Sequence, residues 1–352
     1  MHPQFGQLMA QATALTRAGD LTGAMDAIAT ALHRGPASAA PSQQATDGVL
    51  DVIDVVARVV EDDAPMPAMR PAADGVAQFV SGRYDHRAGA RDYRLFIPAT
   101  RAEPPRALIV MLHGCTQNPD DFATGTRMNA LGAEHHALVL YPAQTRQANA
   151  QGCWNWFKHN HQGRERGEPA LLADMARHIA ASHGVDPAHI YVAGLSAGGA
   201  MAAILAATHP DVFAAAGVHS GLPAGAARDL PGALAAMQGQ GADGAGPRPR
   251  SSVPMIVFHG DADTTVHPSN GERVCQAHGG TAVSVEEQRG LEVGSRSCTR
   301  RLHKDAQGRV VMEQWRVHGA GHAWSGGDPA GSYADARGPD ASAEMLRFFL
   351  QR

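Results

Sequence analysis

Residues 189–208 read HIYVAGLSAGGAMAAILAAT, and this stretch decides the fold. The β-branched and aromatic residues 190–192 predict a short buried strand, and the Ala/Met/Ile/Leu run that follows predicts a helix. Between them lies G-x-S-x-G, which in a strand–turn–helix context is the nucleophile-elbow motif. Its glycines let the strand and helix backbones pass closely while a strained turn exposes the hydroxyl of Ser196. The alternative is a serine that only caps the helix N-terminus after a glycine turn. The flanking pattern favours Ser196 as a nucleophile.

Composition limits the classes of partner. The chain has 352 residues, of which 44% are hydrophobic and 18% charged, with a formal net charge of -4. That length suits one large α/β domain with an appendage. No Lys/Arg run indicates nucleic acid, and no 18-residue apolar stretch indicates a membrane span. The chain has 19 histidines, but its sequence contains neither an H-E-x-x-H motif nor a pair of C-x-x-C motifs. We therefore expect no metal, cofactor, nucleic acid or membrane partner.

The N-terminal part differs from the rest. Residues 1–35 predict a hairpin of two amphipathic helices. Residues 36–75, rich in Pro, Ala, Ser and Asp, predict a linker with a possible short helix. Residues 76–352 predict the catalytic domain. The hairpin is interpreted as a helix pair that packs on the main domain or self-associates into a homo-oligomer, with a partner-binding module as the alternative.

Buried apolar runs alternate with helical patterns in the rest of the chain. Residues 90–98 predict an edge strand that ends at a proline. Further strands are predicted at 107–112, 137–141, 214–218, 255–258 and 310–317, and further helices at 169–183 and 341–350. This order predicts an α/β protein with a doubly wound, mostly parallel sheet. Ligands of such sheets bind at the carboxyl ends of the strands.

The first of those strand ends carries an H-G pair. His113 and Gly114 follow the strand at 107–112, where this architecture supplies one backbone amide to an oxyanion hole. We assign the two donors to the amides of Cys115 and Ala197, the residue after the predicted nucleophile. Cys115 as a nucleophile is a competing idea, but no base for it is evident in the sequence.

Two later strand ends carry carboxylate and imidazole candidates. Asp261 and Asp263 follow the strand at 255–258, and His318 and His322 follow the last strand. Asp263 lies further over the site, whereas Asp261 is expected to be a turn residue that bonds its own backbone. His318 is expected to be packed at the strand end, and His322 to be the base. The resulting order Ser, Asp, His is that of α/β-hydrolases.

Aromatic residues suggest a substrate wall. Residues 152–157 read GCWNWF in a chain that is only 5% aromatic. Trp154, Trp156 and Trp324 are expected to line an apolar cleft, with His113 as a further substrate contact. The alternative is that these tryptophans are core residues beneath a long loop.

The motifs together resemble the polyhydroxybutyrate depolymerase family of esterases, which is related to feruloyl and acetyl-xylan esterases. The matching stretches are HGCTQNPDDFATGTRMNALGAEHHALVLYPAQ, GCWNWF, VDPAHIYVAGLSAGGAM, HGDADTTVHP and GAGHAWSGG. The resemblance implies an α/β-hydrolase fold and hydrolysis of carboxylic esters without a cofactor. It also implies Ser196 as nucleophile, Asp263 as acid and His322 as base.

The four cysteines allow three pairings by sequence alone. The resemblance favours a Cys115–Cys153 disulfide beside the oxyanion loop, and a second bridge between Cys275 and Cys298. It also favours an extracellular or periplasmic protein, whereas the N-terminus shows no export signal, so the compartment stays open. We also expect no polymer-binding domain after Arg352.

The expected substrates are therefore soluble 3-hydroxybutyrate oligomers, amorphous polymer or small esters. Feruloyl or acetyl esters of plant cell walls are the alternative. A catalytically silent scaffold whose N-terminal helices recruit a partner is the alternative outside enzymes.

Overall fold

A computed structural model describes residues 75–99, 103–240, 251–277 and 282–352. The predicted helical hairpin and nearly all of the predicted linker lie outside these residues, and with them the predicted self-association. The described chain forms a ten-stranded sheet flanked by helices on both faces.

The sheet is parallel at its centre and antiparallel at both margins. In chain order its strands are β1 (Gln78–His86), β2 (Gly89–Ile97), β3 (Ala107–Leu112), β4 (Ala137–Pro142), β5 (Ile190–Leu195), β6 (Ala215–His219), β7 (Met255–Gly260), β8 (Ser284–Val293), β9 (Arg296–Lys304) and β10 (Val310–Val317). Their spatial order is β1-β2-β4-β3-β5-β6-β7-β10-β9-β8. The six strands from β4 to β10 pair in parallel. Two short strands, β11 (Trp324–Ser325) and β12 (Ala334–Asp335), pair separately.

Strand β3 shows why the central strands are continuous apolar runs. Leu108, Val110 and Leu112 face one hydrophobic core, while Ile109 and Met111 face the core on the other side. Successive side chains of a strand point to opposite faces, so both sets must be apolar when helices cover both faces. The predicted doubly wound sheet is confirmed.

The helices are α1 (Pro119–Thr126), α2 (Met128–His135), α3 (Gly167–Ser182), α4 (Ala197–Thr208), α5 (Leu230–Met237), α6 (Ser269–Ala277) and α7 (Ala341–Phe349). Apolar residues of α3 to α6 pack in one core, and those of α1, α2 and α7 pack in the other. No helix in the described part of the chain is long and apolar enough to cross a bilayer.

The strand predicted at residues 90–98 as the edge of the sheet is the second strand from that edge. Strand β2 pairs with both β1 and β4, so the edge is formed by β1, whose side chains are half-buried or exposed. The opposite edge is the hairpin β8–β9, which the sequence analysis did not identify. Charged side chains of this hairpin form ion pairs across its two strands, such as Lys304 with Glu286 at 2.6 Å. Ion pairs of this kind leave no hydrophobic period to recognise.

The expected second disulfide is wrong. Cys275 packs against the core that contains α6, whereas Cys298 on β9 belongs to the core on the other face of the sheet. The sheet therefore separates the two thiols. A disulfide requires the two sulfur atoms to lie within a few ångströms of each other.

Candidate active site

Ser196 lies on the turn between β5 and α4, with its backbone in the left-handed region at φ 58°. A methyl group added to Gly194 would lie 2.4 Å from the Gly198 carbonyl carbon, and one added to Gly198 would lie 2.0 Å from the Leu112 oxygen. Both glycines are therefore required by close approach of backbones, as the motif predicted. The Ser196 amide donates to the His219 carbonyl oxygen at 2.9 Å, which fixes the turn to β6.

The loops after β7 and β10 bring Asp263 and His322 into contact. His322 Nδ1 donates to Asp263 Oδ2 at 2.8 Å. The other carboxylate oxygen accepts from the amides of Thr265 and Val266, each at 2.9 Å. His259 Nε2 approaches Oδ2 within 3.4 Å. This carboxylate is thus fixed at both oxygens, and it orients the imidazole of His322.

Electrostatics keep that carboxylate ionised. The Asp263 side chain is fully buried, and burial by itself would raise its pKa. The charge of His322 and the hydrogen bonds from His259 and His322 outweigh this effect and hold the pKa of Asp263 well below its usual range. A permanent negative charge is therefore available to stabilise an imidazolium.

His219 connects the two halves of the site, and the sequence analysis did not identify it. Its ring stacks on Phe258 and Trp324 at 5.7 and 5.1 Å between centroids. Its Nε2 accepts from the Ser325 amide at 3.0 Å, three residues beyond His322. Burial, followed by the charges of His259 and His322, lowers the pKa of His219 to about 3. His219 is therefore a neutral acceptor between the nucleophile turn and the His322 loop.

The loop after β3 lies beside the nucleophile. A methyl group on Gly114 would lie 3.6 Å from Ser196 Cβ. A disulfide joins Cys115 to Cys153 with 4.2 Å between their Cα atoms, as the resemblance implied. Within the described residues, the amides of Cys115 and Ala197 donate to no protein acceptor. Both predicted oxyanion donors thus keep an unused N–H next to the predicted nucleophile.

The predicted tryptophan wall is corrected to a core position. Trp154 is 0% exposed and Trp324 is 1% exposed, and each packs in a hydrophobic core on a different face of the sheet. The Trp324 indole donates to Ser342 Oγ at 3.0 Å. Trp156 is 5% exposed and makes an edge contact with Phe157. Side chains this buried support the loops.

A buried carboxylate fixes the Trp154 loop from below. Glu168 Oε2 accepts from the Asn155 amide at 2.7 Å, and Oε1 accepts from Gln144 Nε2 at 2.5 Å. Arg91 neutralises this carboxylate at 3.2 Å. Since buried charges are stable only when paired and hydrogen-bonded, this cluster holds the loop firmly.

The assignment of His113 as a substrate contact is also corrected. His113 is 1% exposed, and its ring lies 5.6 Å from that of Trp154. Its Nε2 accepts from the Gln144 amide at 3.2 Å, so Nδ1 carries the proton and donates to the Gly114 carbonyl at 2.8 Å. Both nitrogens therefore hold backbone groups in place, one of them in the loop after β3.

Asp261 does not bond its own backbone, contrary to the expectation. It accepts from His318 Nδ1 and from the Gly319 amide, both at 2.7 Å. The second nitrogen of His318 is bonded to Thr299 Oγ1 at 2.9 Å. This second Asp–His pair ties the β7 loop to the β10 loop at the surface.

Known proteins resemble the chain in sequence and in fold. It is 33% identical to poly(3-hydroxyalkanoate) depolymerase C of Paucimonas lemoignei over 61% of this chain and 54% of that relative. It is 29% identical to the probable acetylxylan esterase A of Aspergillus clavatus, over 53% of this chain and 65% of that relative. The chain thus spans about half to two thirds of these relatives' length.

A solved acetyl xylan esterase from Aspergillus awamori covers 79% of this chain and is itself covered completely, with a TM-score of 0.59 and 20% identity. This likeness supports the α/β-hydrolase fold. The model of the esterase PHB depolymerase family matches residues 91–278, which is more than half of the sequence. The chain belongs to this family.

Proposed function

We propose that the protein is a serine esterase that hydrolyses carboxylic esters by a two-step acyl transfer. One observation carries the proposal: the bonded pair of Asp263 and His322 lies at the same sheet edge as Ser196, which is strained and flanked by two unused amides. Strained backbone of this kind concentrates at reacting groups.

In the first step His322 accepts the proton of Ser196, whose oxygen attacks the ester carbonyl. The amides of Cys115 and Ala197 stabilise the negative oxygen of the tetrahedral intermediate. One such donor contributes about 3 kcal/mol to the transition state. His322 then protonates the departing alkoxide.

In the second step His322 activates water, which attacks the acyl-enzyme and releases the acid. Asp263 stays ionised throughout, because His322 and His259 hold its pKa low. It keeps His322 in the tautomer whose Nε2 can accept the serine proton.

The proposed substrates are oligomers of 3-hydroxybutyrate type and short-chain esters. The similarity to a poly(3-hydroxyalkanoate) depolymerase supports this class. Acetyl esters of polysaccharides are the second candidate, which the similarity to acetylxylan esterases supports.

The test is a hydrolysis profile with the S196A variant as blank. Substrates are 3-hydroxybutyrate oligomers, p-nitrophenyl esters of short and long acids, methyl ferulate and acetylated xylan oligomers. We expect S196A to lose activity by a factor on the order of 10⁴ or more while keeping its melting temperature. Preference for hydroxybutyrate oligomers supports the first substrate class, and preference for acetylated xylan supports the second. Substantial hydrolysis by S196A would remove Ser196 from its role.

A further inference from the structure

Tyr333 is an exposed aromatic residue beside His322 and Thr116. Its side chain lies between the two loops to which the proposal assigns the chemistry. Its ring lies 6.4 Å from that of His322, nearly perpendicular to it, and its hydroxyl lies 3.4 Å from Thr116 Oγ1, next to Cys115. Among the residues that the structure describes, no other Phe, Tyr or Trp is as exposed.

The backbone around Tyr333 is fixed on both sides. The preceding residue, Ser332, donates its amide and its hydroxyl to Asp121, at 2.8 and 2.5 Å. Gln117 Nε2 donates to the Ser332 carbonyl at 3.0 Å. On the other side, the Tyr333 carbonyl accepts from the Trp324 amide at 2.6 Å. The ring is therefore presented by a rigid segment rather than by a free loop tip.

That segment holds Tyr333 in a strained conformation. Its φ is 52°, in the left-handed region that bulky residues rarely adopt. Thr116, which its hydroxyl meets, also has a positive φ, of 65°. Such strain persists only where surrounding contacts enforce it, and it concentrates at ligand-binding positions. Burial in a core does not account for this position, since the residue is 37% exposed.

We propose that Tyr333 contacts the alcohol part of the ester and selects for it. This assignment rests on the proposed function, in which His322 protonates the departing alkoxide. The alcohol part must then lie on the His322 side of the scissile bond, and the carbonyl oxygen must point to the loop of Cys115. Tyr333 lies beside both His322 and the loop of Cys115, so a bulky alcohol part contacts its ring.

The chemistry of the side chain defines the class of alcohol. An exposed ring binds an apolar face, and a phenol hydroxyl donates to an oxygen. Tyr333 therefore favours esters whose alcohol part is itself oxygen-bearing, such as a hydroxy acid or a sugar. A methyl ester offers it no contact.

The experiment compares two esters with the same acyl group, methyl 3-hydroxybutyrate and the linear dimer of 3-hydroxybutyrate. We expect Y333A to lower kcat/KM about tenfold for the dimer and less than about twofold for the methyl ester. Y333G should act likewise and keep its melting temperature, since glycine accepts a positive φ without strain. Y333F isolates the contribution of the hydroxyl.

Deacylation provides a further readout, because the alcohol has left before that step. Single-turnover kinetics on both esters should give an unchanged deacylation rate in Y333A. The control variant is V285A, which truncates an exposed apolar side chain on the edge strand β8 and should alter neither ester.

Equal losses on both esters, or equal losses in acylation and deacylation, would overturn the assignment, since they indicate a structural effect on His322. An unchanged ratio of the two esters would overturn it as well. If the wild type exceeds the S196A blank on neither ester nor on any other ester tested, the proposed function fails, and this assignment fails with it.

Discussion

Two Asp–His pairs lie side by side on the same two loops, and hydrogen-bond length does not distinguish them. Nδ1 of His322 lies 2.8 Å from Asp263, and Nδ1 of His318 lies 2.7 Å from Asp261. The side chains of the first pair are 10% and 0% exposed, and those of the second 37% and 36%. The environments differ although the sequence spacings are similar.

The two imidazoles differ more in the hydrogen bonding of their second nitrogen, Nε2. Thr299 occupies Nε2 of His318, whereas within the described residues no protein hydrogen bond engages Nε2 of His322. A base needs a nitrogen that can accept a proton, so only His322 has one to offer. The two pairs therefore differ mainly at Nε2 of the imidazole, and this difference favours His322 as the proposed base.

The largest expected difference concerns the two histidines. H322Q should lower kcat/KM by a factor on the order of 10⁴ or more, because the proposed proton acceptor is lost. H318Q should stay within about threefold of wild type. Steady-state kinetics on a p-nitrophenyl ester would measure both, with melting temperatures as a check on folding. Similar losses in the two variants would contradict the distinction.

Substitution of the two carboxylates should give the same order of activity losses, with a smaller difference between the two variants. D263N should lower kcat about 10³- to 10⁴-fold, because asparagine cannot stabilise the imidazolium and favours the wrong tautomer. D261N should cost less than about fivefold. The same assay applies, and the matched substitutions control for size. The reverse ranking would transfer the proposed acid role to Asp261.

Acid pH should separate the pairs by stability. The pKa of Asp263 lies below its usual 3.8, so its ionised form stabilises the fold above that pH, and this contribution is lost as pH falls further. Between pH 5 and pH 2.5, the free energy of unfolding of D263N should therefore fall by about 2 kcal/mol less than that of the wild type.

For D261N the difference should stay below about 0.5 kcal/mol. The pKa of Asp261 is also lowered, as the His318 and Gly319 hydrogen bonds outweigh burial, but solvent screens this half-exposed group. Urea unfolding at both pH values provides the measurement. Identical pH sensitivity in wild type and D263N would show that the buried charge adds nothing to stability.

The smallest effect should come from T299V, which releases Nε2 of His318. We expect the free energy of unfolding to fall by about 1 kcal/mol or less, the usual value of one hydrogen bond. Activity should stay within about twofold, because an exposed imidazole beside Asp261 still has no nucleophile to serve. A large loss of activity would show that the second pair positions His322.

Much of the central sheet could be predicted, because its strands are apolar on both faces and their ends carry short motifs. The contact between Asp263 and His322 follows the predicted chain order, although their roles remain proposals. Prediction was weaker at the margins. Strand β9 reads RSCTRRLHK and is stabilised by ion pairs, which leave no period in the sequence.

Errors at the site came from side chains whose surroundings are set by distant segments. Trp154 is covered by a core that sequence cannot place, and Cys275 and Cys298 are divided by the sheet. His219 and Tyr333 were missed because no motif marks them. The glycine and proline pattern around residues 326–339 does signal a tight loop, which is the only hint of a constrained Tyr333.

The Cys115–Cys153 disulfide joins positions 38 residues apart, and that span contains α1, α2 and β4. Closing such a loop lowers the entropy of the unfolded chain, which by the chain-entropy account stabilises the fold by about 4 kcal/mol. The loop after β3, to which we assign an oxyanion donor, is thus part of the cross-link that restricts the unfolded state. A chain kept reduced would lose thermal stability and the fixed position of the Cys115 amide together, so heat resistance and turnover would fall with the same chemical change.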